Sequence, residues 1–125
     1  MALCAALHLK GWISKQQLNR FCADRSLLGI HPEIGLPGVD FATGSLGHGL
    51  AMGAGAALAA KMQKSKRKIY ALISDAECNE GSVWEATMFA AHHRLDNLVA
   101  IVDLNGQQAF GYTKDLLHLD KFAQR

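Results

Sequence analysis

The chain has 125 residues and carries a formal net charge of +2 at pH 7. Half of its residues are hydrophobic and 19% are charged, which excludes a disordered chain and favours a single globular domain. The near-neutral charge provides no general attraction to nucleic acid or to an anionic membrane.

The N-terminal part of the chain predicts two helices followed by a long loop. Residues 3–12 form the first helix, which ends at Gly11, and Ser14 is the N-cap of a second helix that runs to about Arg25, with Gln17 as its capping-box partner. Residues 26–45 contain both prolines and four glycines, and long loops of this kind inside compact domains are often functional. The apolar N-terminal run comes before its first lysine, which is not the charge order of a secretory signal, and we expect a cytoplasmic chain.

The middle of the chain predicts a third helix over residues 46–63. Its apolar stretch is shorter than the roughly 18 residues that a membrane span needs, so it is interpreted as a buried helix. Gly49, Gly53 and Ala57 recur every four residues and form a flat face for close packing or an interface. The basic run Lys61–Lys68 is interpreted as a solvated helix end rather than a nucleic-acid surface, because cations suit a helix C-terminus and no aromatic residue interrupts the run.

A strand, a helix and a second strand follow. Ile69–Ser74 and Leu98–Asp103 are short, continuous apolar runs, which is typical of buried parallel strands. Residues 82–94 form the helix between them. One side of this helix carries Trp84, Met88 and Ala91. The pattern predicts a right-handed βαβ unit and therefore an α/β fold with a parallel sheet and helices on both faces.

Two strands are too few for such a sheet. A short stretch near Gln107–Gly111 is the one further candidate strand. A parallel sheet has both faces covered and usually contains more strands. We therefore expect the chain to be an incomplete domain that belongs to a larger one or binds a partner tightly.

The cysteines and histidines predict neither disulfides nor zinc. The three cysteines, Cys4, Cys22 and Cys78, form no Cys-x-x-Cys pair and are expected to be buried, reduced thiols. The spacings of the six histidines fit no zinc-ligand pattern.

Polar side chains follow both strands at the point where each strand ends. Asp75 comes directly after the first strand and Asn105 follows the second. The carboxyl ends of adjacent parallel strands lie at one edge of a sheet, where ligands bind in open α/β folds. One carboxylate and one amide oxygen suit Mg²⁺ or Ca²⁺ that shares its shell with water and a phosphate-bearing ligand. The alternative is that Asp75 caps the following turn and that Asn105 only forms an Asn-Gly turn.

Two further features lie in the long loop and at its end. Glycines 44, 47 and 49 lead into the third helix, where free backbone N–H groups can bind an anion, although close helix packing explains the same glycines. His31 precedes Pro32, so a constrained, extended backbone presents its ring, unless the segment is simply a surface turn.

Three segments together resemble transketolase. They are HPEIGLPGVDFATGSLGHG at 31–49, SDAECNEGSVWEATMFAAHH at 74–93 and LDNLVAIVDLNG at 95–106. Their order and spacing are similar to those of the N-terminal, diphosphate-binding section of that family, which split transketolases carry as a separate subunit. The resemblance covers nearly the whole chain.

The resemblance implies thiamine diphosphate as the cofactor and Mg²⁺ or Ca²⁺ as its metal. It implies that the side chains of Asp75 and Asn105 and the backbone carbonyl of Gln107 coordinate the metal. It also implies that His31 is catalytic and hydrogen-bonds a substrate oxygen, and that Glu80 lies near a dimer interface that links two active sites. The remaining implied cofactor-binding residues are Gly44, Ser45, Leu46 and Gly47 in the loop, and Ser74 and Ala76 beside Asp75.

The implied reaction is the transfer of a two-carbon ketol unit between sugar phosphates, as in the pentose phosphate pathway. Active sites of this family form between two subunits, where the diphosphate domain of one faces the pyrimidine-binding domain of the other. The resemblance therefore implies a homo-oligomer, and the partner it implies is a pyrimidine-binding domain or subunit. Neither a nucleic acid nor a membrane is an expected partner.

The sequence departs from the family pattern in one motif and in extent. The Gly-Asp-Gly of the family is Ser74-Asp75-Ala76, and if φ at position 76 were positive, Ala76 would add about 1 kcal/mol or more of strain. Compared with the family, the chain begins after a Gly-His segment, stops before the diphosphate domain ends and lacks the pyrimidine domain. We therefore expect this chain alone to have no ketol-transfer activity.

Three other functions remain as alternatives. One is a non-catalytic remnant that oligomerises as an interaction module, and cofactor binding that depends on Mg²⁺ would separate it from an enzyme part. A deoxyxylulose-phosphate synthase or another ketol-transferase would differ in its acceptor aldehyde. A nucleotide-binding Rossmann domain would need Gly-x-Gly-x-x-Gly directly after a strand, whereas the glycines here follow an irregular Pro/Gly segment.

Overall fold

The computed structural model describes residues 1–119. The chain divides into two compact units, the first ending at Ser45 and the second beginning at Leu46. Each unit has its own hydrophobic core.

The first unit contains two helices and an extended loop. Helix α1 spans Ala2–Leu9 and α2 spans Lys15–Leu18. The predicted capping box is present, since the Ser14 hydroxyl accepts the Gln17 N–H at 3.1 Å and the Gln17 side chain accepts the Ser14 N–H at 2.7 Å. The core of this unit comprises Cys4, Leu7, Ile13, Leu28 and Leu36.

The predicted length of the second helix is wrong. Helix α2 ends at Leu18, and the chain then turns through Cys22 and Arg25, whose φ angles are 57° and 59°. A positive φ is incompatible with a right-handed helix. The Cys22 N–H donates to the Leu28 carbonyl at 2.7 Å and so makes no helical hydrogen bond. Residues 26–45 form the predicted loop, with no helix and only an isolated bridge between Ile34 and Leu36.

The second unit contains the parallel strands. Its elements in chain order are α3 (Gly49–Met62), β1 (Ile69–Ser74), a 3₁₀ turn (Glu77–Asn79), α4 (Gly81–His92), β2 (Leu98–Asp103), β3 (Gln107–Gln108), β4 (Gly111–Tyr112) and α5 (Thr113–Leu116). Strands β1 and β2 have the predicted bounds and pair in parallel from Ile69↔Leu98 to Ser74↔Asp103. The expected third strand instead forms a separate antiparallel hairpin of β3 and β4.

The core of the second unit lies on one face of the β1–β2 pair. Ala71 and Ile73 point into it and pack with Leu50, Val83 and Ala86 of helices α3 and α4. Along β1 and β2 the side chains alternate between this face and the opposite one. The opposite face is exposed and carries Tyr70, Leu72, Val99 and Ile101.

Helix α4 packs against the core with the side that carries Val83 and Ala86. Its buried residues are Val83 and Ala86, one turn apart on one side, whereas Met88 is 66% exposed. The core side is therefore set by the small and β-branched residues that fit against α3 and β1, and the larger Met88 points outward.

Small residues bring α3 close to the strands, as the sequence predicts for Gly53 and Ala57. A Cβ atom on Gly53 would lie 3.5 Å from the Ala71 Cβ and 3.4 Å from the Leu98 Cδ1. Gly49 is exposed and does not belong to the packed face. At the end of α3, the Lys61 ammonium donates to the His93 carbonyl at 3.1 Å and thereby binds the C-terminus of α4, which cations stabilise.

None of the helices in residues 1–119 is long and apolar enough to cross a membrane. The cytoplasmic location stays a prediction. All three cysteines are free, but only Cys4 and Cys78 are buried; Cys22 is exposed because it lies in the turn after α2.

Candidate functional site

The carboxyl ends of β1 and β2 carry the two turns that the sequence marks. The Asp75 N–H donates to the Asp103 carbonyl at 3.1 Å, which extends the pairing of the strands by one residue. Beyond it, the Gly106 N–H donates to Asp75 Oδ2 at 2.9 Å. The structure therefore brings Asp75 against the Asn105-Gly106 turn at the sheet edge where open α/β folds bind ligands.

The Asp75 carboxylate is buried among neutral donors. Its exposed fraction is 4%. Oδ1 accepts the Ala76 N–H at 2.9 Å, and Oδ2 accepts the Thr113 hydroxyl at 3.4 Å in addition to Gly106. Within residues 1–119, every hydrogen bond described for this carboxylate comes from a neutral group. A buried carboxylate whose hydrogen-bond donors are neutral is an electrostatically favourable place for a metal ion.

Thr113 is a neighbour of Asp75 that the sequence did not predict. It is buried, 38 positions from Asp75, and its N–H donates to the Gly106 carbonyl at 3.0 Å. The β3–β4 hairpin returns the chain to the Asp75 turn and so places Thr113 there. Its local sequence gives no sign of this contact.

Asn105 has the turn role that the sequence offers as its alternative interpretation. Its Oδ1 accepts the Gln107 N–H at 2.8 Å, and its Nδ2 donates to Asp103 Oδ2 at 3.1 Å. The side chain is exposed, and its amide oxygen has a second lone pair for another partner. Gln107 begins β3, opposite Tyr112. A turn role and metal coordination are therefore compatible for Asn105.

The donor set fits a hard cation. Asp75 offers a carboxylate oxygen, Asn105 an amide oxygen and Gln107 a backbone carbonyl, and Mg²⁺ and Ca²⁺ bind such oxygens together with water and phosphate. The described residues contain no cluster of three His, Cys, Asp or Glu side chains that could hold a metal by themselves. A metal here would therefore need oxygens from a bound anion or from water to complete its shell.

The turn after β1 accommodates its unusual residues without strain. Ala76 has φ −60° and ψ −38°, an ordinary right-handed conformation, so the strain that a positive φ would cause is not present. The Ser74 hydroxyl accepts the Glu77 N–H at 3.0 Å and closes the turn. Glu80 is exposed at the N-cap of α4, where its side chain makes no capping hydrogen bond.

The Gly47 peptide is held against the same turn. Its N–H donates to Glu77 Oε1 at 2.9 Å, and its carbonyl accepts the Ser82 hydroxyl at 2.8 Å. The φ of Gly47 is +86°, and a Cβ there would lie 2.9 Å from the Glu80 Cβ, so the position requires glycine. Leu46, just before it, is 48% exposed.

Glu77 and Cys78 also lie in the turn after β1, and of the two the sequence predicted only the burial of Cys78. Glu77 is 9% exposed and Cys78 is fully buried. Burial, and then the nearby carboxylates of Glu77 and Asp75, raise the pKa of the Cys78 thiol above its ordinary value of 9.0. The thiol is therefore protonated at neutral pH and is neither a nucleophile nor a metal ligand there. Glu77 lies three residues after the end of β1, and nothing in the local sequence shows that its side chain is buried.

His31, Gly44 and Ser45 lie in the first unit. A Cβ on Gly44, whose φ is +129°, would lie 3.0 Å from His31 Nδ1, so the imidazole packs directly on the glycine backbone. The Thr43 N–H donates to the Pro32 carbonyl at 3.2 Å and ties the two ends of this loop together. The His31 and Ser45 side chains are exposed.

Comparison with known proteins identifies the family. The family model "Transketolase, thiamine diphosphate binding domain" matches residues 1–125. An apulose-4-phosphate transketolase subunit from Phocaeicola vulgatus is 44% identical over 124 residues, which are 99% of this chain and 44% of that protein. The 6-deoxy-6-sulfo-D-fructose transketolase subunit SqwG of a Clostridium species is 41% identical over 120 residues, covering 95% of this chain and 44% of that protein.

A solved structure shows the same fold. The crystal structure of transketolase from Campylobacter jejuni matches 90% of this chain with a TM-score of 0.83 and 37% sequence identity, and the match covers 19% of that protein. The expected α/β fold with a parallel sheet is thereby confirmed. The chain spans less than half the length of the curated relatives it matches. With the matching family model, these similarities show that the chain belongs to the transketolase family, within its thiamine diphosphate-binding domain.

Proposed function

We propose that the chain supplies the diphosphate- and metal-binding half of a transketolase active site. The reaction is the transfer of a two-carbon ketol unit between sugar phosphates, with thiamine diphosphate and Mg²⁺. The observation that carries the proposal is the buried Asp75 carboxylate at the end of β1, joined to the Gly106 N–H of the turn after β2 and hydrogen-bonded, among the described residues, to neutral groups only. Residues 1–125 form part of one diphosphate-binding domain in this proposal.

The metal would be held by Asp75, the side-chain oxygen of Asn105 and the carbonyl of Gln107. Ser74 and Ala76 shape the turn that presents Asp75. Ala76 does so with ordinary right-handed backbone angles. When bound, thiamine diphosphate supplies a nucleophilic carbon and an electron sink, and the protein contributes binding, orientation and electrostatics. The Gly44–Gly47 segment would contribute backbone groups to the cofactor.

His31 is the proposed catalytic side chain of the first unit. Its imidazole packs on Gly44 and is exposed, so it is available to hydrogen-bond a substrate oxygen. Glu80, exposed at the N-cap of α4, is proposed to act at the interface between two subunits. Sugar phosphates are the proposed substrates.

The proposed partner is a pyrimidine-binding transketolase domain or subunit, in a homo-oligomeric assembly. Two relatives of this chain are named as transketolase subunits, which supports a split arrangement. The exposed apolar face of the β1–β2 pair also supports further protein surface around this chain.

Calorimetric titration of the folded chain with thiamine diphosphate, with and without Mg²⁺, tests the proposal. We expect binding that requires Mg²⁺ and is lost in Asp75→Ala. Asp75→Asn keeps an oxygen for the Gly106 hydrogen bond but removes the charge, so it separates metal binding from turn structure. A folded chain that fails to bind, both alone and together with a pyrimidine-domain partner, would contradict the proposal and favour a non-catalytic interaction module.

A further inference from the structure

Glu77 is a buried acid to which the proposed function assigns no role. It is 9% exposed and lies two residues after Asp75, in the 3₁₀ turn that follows β1. The Ser74 hydroxyl accepts its N–H at 3.0 Å, and the Asp75 carbonyl accepts the Cys78 N–H at 3.0 Å. The backbone of Glu77 is thus fixed to the turn that presents the proposed metal ligand.

The Glu77 side chain leaves this turn and reaches the glycine segment before α3. Its Oε1 accepts the Gly47 N–H at 2.9 Å, across 30 positions of sequence. Ser82, at the start of α4, donates to the Gly47 carbonyl at 2.8 Å. The short stretch from Glu77 to Ser82 therefore holds both polar groups of Gly47, whose φ of +86° glycine adopts readily.

We propose that Glu77 is a positioning residue that sets the Leu46–Gly47 backbone at a fixed place relative to Asp75, so that both turns contact one thiamine diphosphate. The inference rests on the proposed function. The two turns are separate in sequence, and the Glu77–Gly47 hydrogen bond is a direct link between them. A carboxylate is suited to this task because a charged acceptor binds a backbone N–H more strongly than a neutral one.

A merely structural role for Glu77 would affect stability and leave cofactor affinity alone. The positioning role instead depends on an acceptor oxygen for the Gly47 N–H. Glutamine retains such an oxygen in nearly the same place, whereas alanine does not. Glu77→Gln and Glu77→Ala therefore form a matched pair. Asp96→Ala is the control, because it removes an exposed carboxylate before β2, at the opposite end of the strands.

The test combines titration with thiamine diphosphate and Mg²⁺ with hydrogen exchange of the Gly47 amide. In Glu77→Ala we expect the Kd to rise about tenfold or more, the loss that follows from removing one charged hydrogen-bond partner. The Gly47 amide should exchange faster in the same variant. In Glu77→Gln both properties should return towards wild type, with a Kd within about threefold, because a neutral acceptor retains roughly half the strength of a charged one. Asp96→Ala should match wild type in both.

Two results would overturn the inference. One is a wild-type Kd in Glu77→Ala, and the other is an equal loss of affinity in Glu77→Ala and Glu77→Gln. If Glu77→Ala does not fold, Glu77→Met replaces it in the comparison with Glu77→Gln, because methionine fills similar space without an oxygen acceptor for the Gly47 N–H. A wild-type Kd in Glu77→Met then overturns the inference. Failure of the wild-type chain to bind, alone and with a pyrimidine-domain partner, refutes the proposed function itself and is seen before any variant is compared.

Discussion

The Asp75 carboxylate accepts a hydrogen bond from the Gly106 backbone N–H at 2.9 Å, although 31 positions separate the two residues. The parallel pairing of Ser74 with Asp103 makes this contact possible, because it places the ends of both strands side by side. Asp75 thus has a structural role in addition to its proposed metal-binding role. The two roles predict different consequences for stability and for ligand binding.

Asp75→Ala should destabilise the chain even without ligand. The substitution leaves the N–H groups of Ala76 and Gly106 without their acceptor in a buried turn, which costs about 1–3 kcal/mol in the free energy of unfolding. Urea denaturation monitored by circular dichroism measures this loss. Thr113→Val, which removes only the longer 3.4 Å hydrogen bond, should cost about 1 kcal/mol or less. Equal stability of Asp75→Ala and wild type would show that the turn does not depend on the carboxylate.

Gly47→Ala and Gly55→Ala should have opposite effects. At Gly47 a methyl group meets the Glu80 Cβ and the backbone has a φ of +86°, so we expect a loss of roughly 2 kcal/mol or more. Gly55 is exposed in the middle of α3 and an added Cβ has no neighbour within 4 Å, so alanine should stabilise the helix by about 0.5–1 kcal/mol. Thermal unfolding of both variants compares them directly, and a destabilising Gly55→Ala would contradict the exposure of that side of α3.

At Gly53 the size of the new side chain should decide the outcome. Alanine places its Cβ at ordinary contact distance from Ala71 and Leu98 and gains the same helix propensity as at Gly55, so Gly53→Ala should be neutral to slightly stabilising. Leucine would drive several further atoms into the same strands, with an expected loss of about 1–3 kcal/mol or failure to fold. Denaturant midpoints of the two variants provide the measurement. A stable, unchanged Gly53→Leu would show that α3 does not pack against β1 as described.

Stability should decrease in alkaline solution partly because of Cys78. Burial raises the pKa of this thiol above 9.0, so the folded chain retains a proton that the unfolded chain releases. The contribution of this thiol to the free energy of unfolding is therefore complete below pH 9.0. It is lost as the pH rises through the pKa that the thiol has in the folded chain. The free energy of unfolding of Cys78→Ala should fall less than that of wild type as the pH rises above 9.0. If the free energy of unfolding fell equally with pH in wild type and in Cys78→Ala, the Cys78 thiol would have the same pKa in the folded and the unfolded chain.

The strands were predictable because the sequence marks them locally. Ile69–Ser74 and Leu98–Asp103 are continuous apolar runs with polar residues at both ends, and the structure gives them the same bounds. Parallel pairing then follows from the intervening helix, and with it the meeting of Asp75 with the Asn105-Gly106 turn. The motif resemblance also identified the family, which the matching family model confirms.

Contacts distant in sequence were not predictable in the same way. The end of α2 depends on positive φ at Cys22, a residue type that seldom adopts it, and on a hydrogen bond to Leu28. Thr113 reaches Asp75 only after the hairpin has formed, and Glu77 reaches Gly47 only after α3 has packed. Such contacts depend on the folded arrangement of several elements, and no local pattern encodes them.

The ordinary backbone angles of Ala76 bear on how related chains are recognised. Because φ is −60°, every L-amino acid can adopt this backbone, and the limit on position 76 is the space around a side chain that is 6% exposed. Serine should therefore fit there, whereas valine or leucine should not. A search pattern that demands glycine after this aspartate would reject chains whose turn forms without difficulty, while one that admits any small residue would retain them.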